Sequence, residues 1–220
     1  MKYCNNCGSR RRTRRRAIRL LYLTGKIESM KLILASGSPR RKELLTRAGA
    51  TFEVCVSDVD ESGVLGTPQE VVAALSRMKA EAVFATHADD CVLAADTVVA
   101  LDGEIFGKPK DEEDAMRMLG ALVGRKHYVY TGVCVIYAKN GSPVYETEVG
   151  GTEVFFRDAG EDELRAYVGT GEPMGKAGAY AIQGKGGNFV EKINGDRSNV
   201  IGLPVCTVIR MLEKAGIGVR

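Results

Sequence analysis

Apolar and polar positions along this chain change period repeatedly, and each change marks an element. Leu32-Ile33-Leu34-Ala35 is a short continuous apolar run and reads as a buried strand. It breaks at Ser36-Gly37-Ser38. A helix is predicted over residues 39–48, with Ser38 as N-cap, Pro39 in the first turn and Gly49 just past the end. Residues 52–56 alternate and predict a strand, followed by an acidic turn at 58–63. Thr67-Pro68-Gln69-Glu70 opens a helix in which Val72, Leu75, Met78 and Ala82 recur at helical spacing, to about Thr86. Residues 91–101 form a strongly apolar strand, closed by a hairpin turn at Asp102-Gly103-Glu104. Asp111 caps a helix over 112–123. Two long strands, 128–138 and 144–156, flank the Asn140-Gly141 turn. A short helix over 161–168, a glycine-rich stretch over 169–187, a strand over 188–193 and a helix over 204–215 complete the chain. Strands alternate with helices, which predicts an α/β fold with a mixed sheet and no internal repeat.

Charge divides the chain unevenly. Residues 1–29 hold nine of the 31 basic residues and one of the 28 acidic ones, leaving 22 basic against 27 acidic in the body. A phosphate site in that body must therefore be local. The first 29 residues read as an extension preceding a domain over 30–220. Their Cys4-Asn5-Asn6-Cys7 is half a zinc pattern, and six arginines lie within residues 10–16. A basic arm for nucleic acid, a zinc element and a translation start placed too early all fit that stretch, since Met30 stands directly before the first strand. Nucleic acid is otherwise not expected as a partner. No apolar run approaches the roughly 20 residues that span a bilayer. Cys55, Cys91, Cys134 and Cys206 lie singly in apolar runs, like small buried hydrophobes, which suits a reducing cytoplasm.

Two anomalies carry the chemistry. Arg40, Arg41 and Lys42 sit at the positive end of a helix dipole, where cations are poorly placed unless an anion joins them. Free N–H groups and guanidinium groups together suit phosphate. The second anomaly is Asp96, a carboxylate inside an apolar strand. It must pair with a cation, bind a metal or face a cleft. Thr97 should point to the opposite face unless the chain bends. Hairpin reversal could return Lys108 to the neighbourhood of Asp96, while Lys79 fits a solvated helix face or a site cation equally well. The stretch over 175–187 fails the spacing of a P-loop. Its glycines would instead let backbone approach a ligand, with Gln183 reading a base through its amide.

Taken in order, several segments resemble the Maf family of nucleoside triphosphate pyrophosphatases. They are Leu34-Ala35-Ser36-Gly37-Ser38-Pro39-Arg40-Arg41, Ala95-Asp96-Thr97-Val98-Val99, Gly107-Lys108-Pro109-Lys110-Asp111, Tyr130-Thr131-Gly132-Val133, Gly171-Glu172-Pro173 with Lys176 to Gly184, and Asn199-Val200-Ile201-Gly202-Leu203-Pro204. The resemblance covers about residues 30–215. It implies a two-lobed mixed-sheet fold similar to inosine triphosphate pyrophosphatases, with the active-site cleft between lobes, and often a homodimer. It further implies hydrolysis of a nucleoside triphosphate to monophosphate and pyrophosphate with a divalent cation, Mg²⁺ or Mn²⁺. By the same resemblance Asp96 is the proton acceptor, and Lys108 falls at a substrate-contacting position and is taken with Asp96 as catalytic. Arg40, Thr97 and Gln183 match the branch acting on dTTP and UTP. Ser36, Arg41, Lys79 and Lys176 fall at substrate-contacting positions, and Asp96 with Glu61 are the candidate metal ligands. A second reading stays open, a nucleotide-binding regulatory protein of cell division.

Overall fold

The structure, a computed structural model, describes residues 30–219. The expectations for residues 1–29 lie outside them. Strand β1 (Leu32–Leu34) is apolar and buried at every position, as expected of a strand whose sheet is covered on both faces. It pairs in parallel with β2 (Glu53–Val54) and with β3 (Cys91–Leu101). Strand β3 then runs antiparallel to β4 (Glu104–Phe106) and to β5 (Lys126–Lys139). Strand β6 (Ser142–Phe156) follows antiparallel to β5, and β7 (Val190–Asn194) pairs with the end of β6. The order is β2-β1-β3-β5-β6-β7, with β4 beside the far end of β3.

Both predicted hairpins form. Asp102-Gly103 and Asn140-Gly141 have positive φ at both positions, 51° and 86°, then 53° and 77°. Such turns match the right-handed twist of the strands they join.

Helix α1 (Pro39–Arg47) follows β1. Helix α2 (Pro68–Phe84) starts with a full capping box between Thr67 and Glu70 and lies across β3 and β5. Its Ala80 and Val83 join Ile33, Ala35, Val92, Ala94, Cys134 and Ile136 in one hydrophobic cluster. Gly132 of β5 stands opposite Asp96 of β3. A Cβ at Gly132 would lie 2.2 Å from the carbonyl oxygen of Val72, so the close approach of α2 requires glycine there.

A second apolar cluster forms towards the other ends of the same long strands. Helix α3 (Glu112–Leu122) buries Ala115, Met118, Leu119 and Leu122 and packs on α4 (Glu161–Val168). Near them the rings of His127, Phe156, Tyr180, Phe189 and Tyr167 pack at centroid spacings of 4.8–6.0 Å. Two clusters strung on shared strands form the mixed α/β fold expected from the sequence. Helices α5 (Arg197–Ile201) and α6 (Val205–Lys214) close the chain.

Three details differ from the sequence expectation. The strand expected over 52–56 is ordered as β2 for only two residues, because β1 offers a three-residue partner. Helix α5 falls where no element was expected. Cys91 and Cys134 are buried, and burial pushes the Cys91 thiol up to about 12, but Cys55 is half-buried and Cys206 is exposed on the first turn of α6. No helix among the described residues is long and apolar enough to cross a membrane.

Candidate active site

The turn from β1 into α1 is built around one hydroxyl. Ser36 is buried, and its Oγ accepts from the Ser38 N–H at 3.3 Å. Ser38 occupies the N-cap in extended conformation, yet its side chain caps nothing, and no acidic residue stands in the first turn. The first-turn amides of α1 are therefore uncapped by any side chain, a ready anion site.

The two arginines that follow diverge. Arg41 spends its fork on the protein: Nε donates to the Gly202 carbonyl at 2.9 Å, Nη1 to Ser36 Oγ at 3.1 Å and Nη2 to Thr97 Oγ1 at 3.1 Å. Burial lowers its pKa from the ordinary arginine value, and Asp96 opposes that shift. Arg40 is half-buried and makes no hydrogen bond or ion pair among the described residues. Burial lowers its pKa as well, opposed by Tyr167. Lys176 feels the same combination, burial first and then the like charge of Arg40. Its Nζ donates to the Glu172 carbonyl at 2.5 Å. A partly desolvated cation with a like-charged neighbour and no counterion invites an anion.

Asp96 is 8% exposed, and its burial is compensated by Lys79 of α2. Lys79 Nζ lies 2.5 Å from Asp96 Oδ1 and 3.1 Å from Glu61 Oε1. Asp96 is thus salt-bridged and borders a cleft at once, which unites two readings that the sequence left open. Thr97 points to the opposite face of β3, as regular alternation requires, and meets Arg41 and Thr131.

These groups share one cleft of about 710 Å³, a volume typical of small-molecule sites. Ser36, Arg40, Arg41, Glu61, Lys79, Asp96, Thr97, Lys108 and Lys176 all line it. Five cations against two carboxylates make it positive within an acidic body. Lys108 is exposed at its edge, carried back along β3 by the β3–β4 hairpin. Gln183 is the one expected site residue that the structure does not bring into the lining; it is exposed on the adjacent loop.

The glycine-rich loop differs from its expected use. Its close approaches are to the protein itself. A Cβ at Gly184 would lie 2.5 Å from both Glu172 carboxylate oxygens, and one at Gly187 would lie 2.6 Å from the Ile182 carbonyl. The Glu172 carboxylate accepts from the amides of Lys185 and Gly186, each at 3.0 Å, and from the Tyr167 hydroxyl at 3.0 Å. Burial raises the Glu172 pKa, but these donors outweigh it and hold the group below the ordinary range. An acid shortly before a glycine-rich loop was the available signal, and the sequence reading gave it no role.

For a divalent cation, Asp96 and Glu61 offer hard oxygen donors; Lys79 contacts one oxygen of each, Oδ1 and Oε1, and Oδ2 and Oε2 are the ones left for an ion. Among the described residues no group of three or more His, Cys, Asp or Glu side chains converges. Two carboxylates fit a Mg²⁺-type ion that completes its shell with water and phosphate oxygens.

The fold is mixed α/β, with one cleft lined by five cations and two carboxylates. The profile of the family described as "Maf-like protein" matches residues 31–215, and the chain belongs to that family. A dTTP/UTP pyrophosphatase of Bacillus cytotoxicus is 48% identical over 189 residues, 86% of this chain and 97% of that protein. One from Bacillus cereus is 46% identical over 202 residues, 91% of this chain and 98% of that protein. Among solved structures, the Staphylococcus aureus Ham1 protein matches 59% of this chain and 73% of its own at 19% identity, with a TM-score of 0.39.

Proposed function

We propose that this chain is a nucleoside triphosphate pyrophosphatase that hydrolyses dTTP and UTP to the monophosphate and pyrophosphate. The observation that carries this reading is Arg40: a half-buried cation without a counterion, at an uncapped helix N-terminus, in the same cleft as the buried carboxylate of Asp96. The names of relatives at 46–48% identity supply the substrates.

In this mechanism Arg40, the first-turn amides of α1, Lys108 and Lys176 receive the phosphate charge. Arg41 holds the turn that presents those amides. Lys79 holds the Asp96 carboxylate in place through Oδ1, which leaves Oδ2 for water. Asp96 takes a proton as water forms its bond to phosphorus; the bond between the α-phosphorus and the bridging oxygen breaks, and pyrophosphate leaves with that electron pair. Such chemistry needs positioning and charge stabilisation above all. A divalent cation held by Asp96 and Glu61 would shield the phosphates and acidify a bound water.

Asp96→Asn keeps the shape and removes the base. Its kcat on dTTP should fall by about 10²–10⁴, the range for a positioned general base, while nucleotide still binds. Turnover within a few-fold of the parent would sink the assignment.

A further inference from the structure

The Tyr130-Thr131-Gly132 segment and the one from Asn199 to Pro204 meet in a buried chain of hydrogen bonds that the reaction above leaves unused. Arg41 Nη2 donates to Thr97 Oγ1 at 3.1 Å. Thr97 Oγ1 and Thr131 Oγ1 are 3.0 Å apart. Thr131 Oγ1 donates to the Asn199 carbonyl at 3.0 Å. Asn199 is anchored in turn, its side-chain amide donating to the Val129 carbonyl at 2.9 Å and to Thr152 Oγ1 at 3.1 Å. Thr131 and Asn199 are both buried.

Proton counting fixes the direction of this chain. A carbonyl only accepts, and a guanidinium only donates. Thr131 has one hydroxyl proton and gives it to Asn199. The proton between the two threonines must then be Thr97's. Thr97 therefore spends its proton on Thr131 and one lone pair on Arg41. One lone pair remains, on a half-buried residue that borders the cleft.

We propose that this relay makes Thr97 an acceptor only, so that the cleft selects nucleotides that present a hydrogen-bond donor to it. Thr131 and Asn199 are then positioning residues for specificity. The inference rests on the nucleotide reading given above. Two donors on a thymidine nucleotide have this chemistry, the ring N3–H and the sugar hydroxyl. Cytosine carries no proton at N3, so the ring source would separate thymine and uracil from cytosine. A buried group committed to one polarity rejects the opposite one strongly, because the mismatch leaves it unpaired.

The experiment measures equilibrium binding of the α,β-methylene analogues of dTTP, dCTP and dideoxy-TTP to the full chain, with hydrolysis of the natural triphosphates followed in parallel. Thr131→Val is compared with the parent and with Thr131→Ser, each checked for folding by its thermal midpoint. Losing the Thr131 acceptor frees the Thr97 proton to turn towards the ligand. The preference for the dTTP over the dCTP analogue should fall about tenfold in Thr131→Val and return in Thr131→Ser. A fall in the dTTP to dideoxy-TTP ratio instead supports the relay with the sugar hydroxyl as the donor. Thr97→Val removes the lone pair itself and should lower the same ratio, which keeps the test available if Thr131→Val does not fold. Both ratios staying within about twofold of the parent in every folded valine variant overturn the relay, and so does failure of the parent to bind any analogue. Ratios that shift as expected in a parent without hydrolytic activity leave the relay standing and overturn the pyrophosphatase reading.

Discussion

Arg40 and Arg41 are neighbours in sequence and opposites in use. Arg41 makes three divergent bonds to the protein, whereas Arg40 keeps its charge for the cleft. Lysine at 41 is a single point donor and cannot reach Gly202, Ser36 and Thr97 together. Arg41→Lys should therefore cost stability, by about 1–3 kcal/mol in chemical denaturation, as well as activity. Arg40→Gln should do the reverse for stability: removing a cation that repels Lys176 leaves the midpoint unchanged or slightly higher. Its KM for dTTP should nevertheless rise about tenfold or more, the worth of a lost charge-assisted bond to phosphate. An unchanged KM would remove Arg40 from the phosphate site. Charge at a helix N-terminus and the family resemblance placed both arginines there, and neither signal separates their uses. Which one turns inward depends on the Gly202 carbonyl, 161 residues away. Asp96 was easier to see, since a carboxylate in an apolar run is an anomaly in any fold. Lys79 was legible only as an even choice between a solvated face and a site cation, and its pairing with Asp96 depends on the register of α2 over β3.

Elements were legible where local signals agreed. The capping box of α2, the positive-φ hairpin pairs and the apolar residues on either side of Asp96-Thr97 in β3 each fix an element without help from the rest of the fold. Helix α5 has only five residues and too little period to read. Its supports are the Asp196 cap at its start and the bonds of Asn199 to β5 and β6. The placement of α2 on the sheet is likewise tertiary, and it hinges on Gly132. Gly132→Ala would put a methyl carbon against the Val72 backbone at a distance no atom pair tolerates, so α2 must move. Backbone cannot rotate away as a side chain can. The expected loss is about 3 kcal/mol, the upper part of the usual range for overpacking, read from urea denaturation. Because α2 carries Lys79, the same shift should draw its ammonium from Asp96 and lower kcat. A variant with parent-like stability and kcat would show that the helix seat is softer than its contacts imply.

Stability of the whole molecule should depend on pH through a group far from the chemistry. His127 is fully buried among Phe156 and Tyr180, with Nε2 3.0 Å from the Tyr180 hydroxyl. Burial lowers its pKa from 6.5 to about 4, opposed by the Arg125 backbone. The unfolded chain takes up this proton as pH falls below about 6.5, while the folded chain refuses it until about pH 4. The unfolded state therefore binds more protons across that window, and stability falls as pH falls through it. Above about pH 8 the imidazole is neutral in both states and contributes no slope. By pH 4.5 the loss from this one group is about 2–3 kcal/mol, enough to matter against a typical total of roughly 5–15 kcal/mol. His127→Gln keeps a partner for Tyr180 and cannot titrate. Urea denaturation of parent and variant at pH 7 and pH 4.5 isolates the effect, since the carboxylates common to both cancel. The parent should lose about 2–3 kcal/mol more than the variant between the two pH values. Equal losses would mean that the aromatic cluster admits the imidazolium, and that the half of the fold which carries Lys176 and the Glu172-held loop is less tightly sealed than its ring packing indicates.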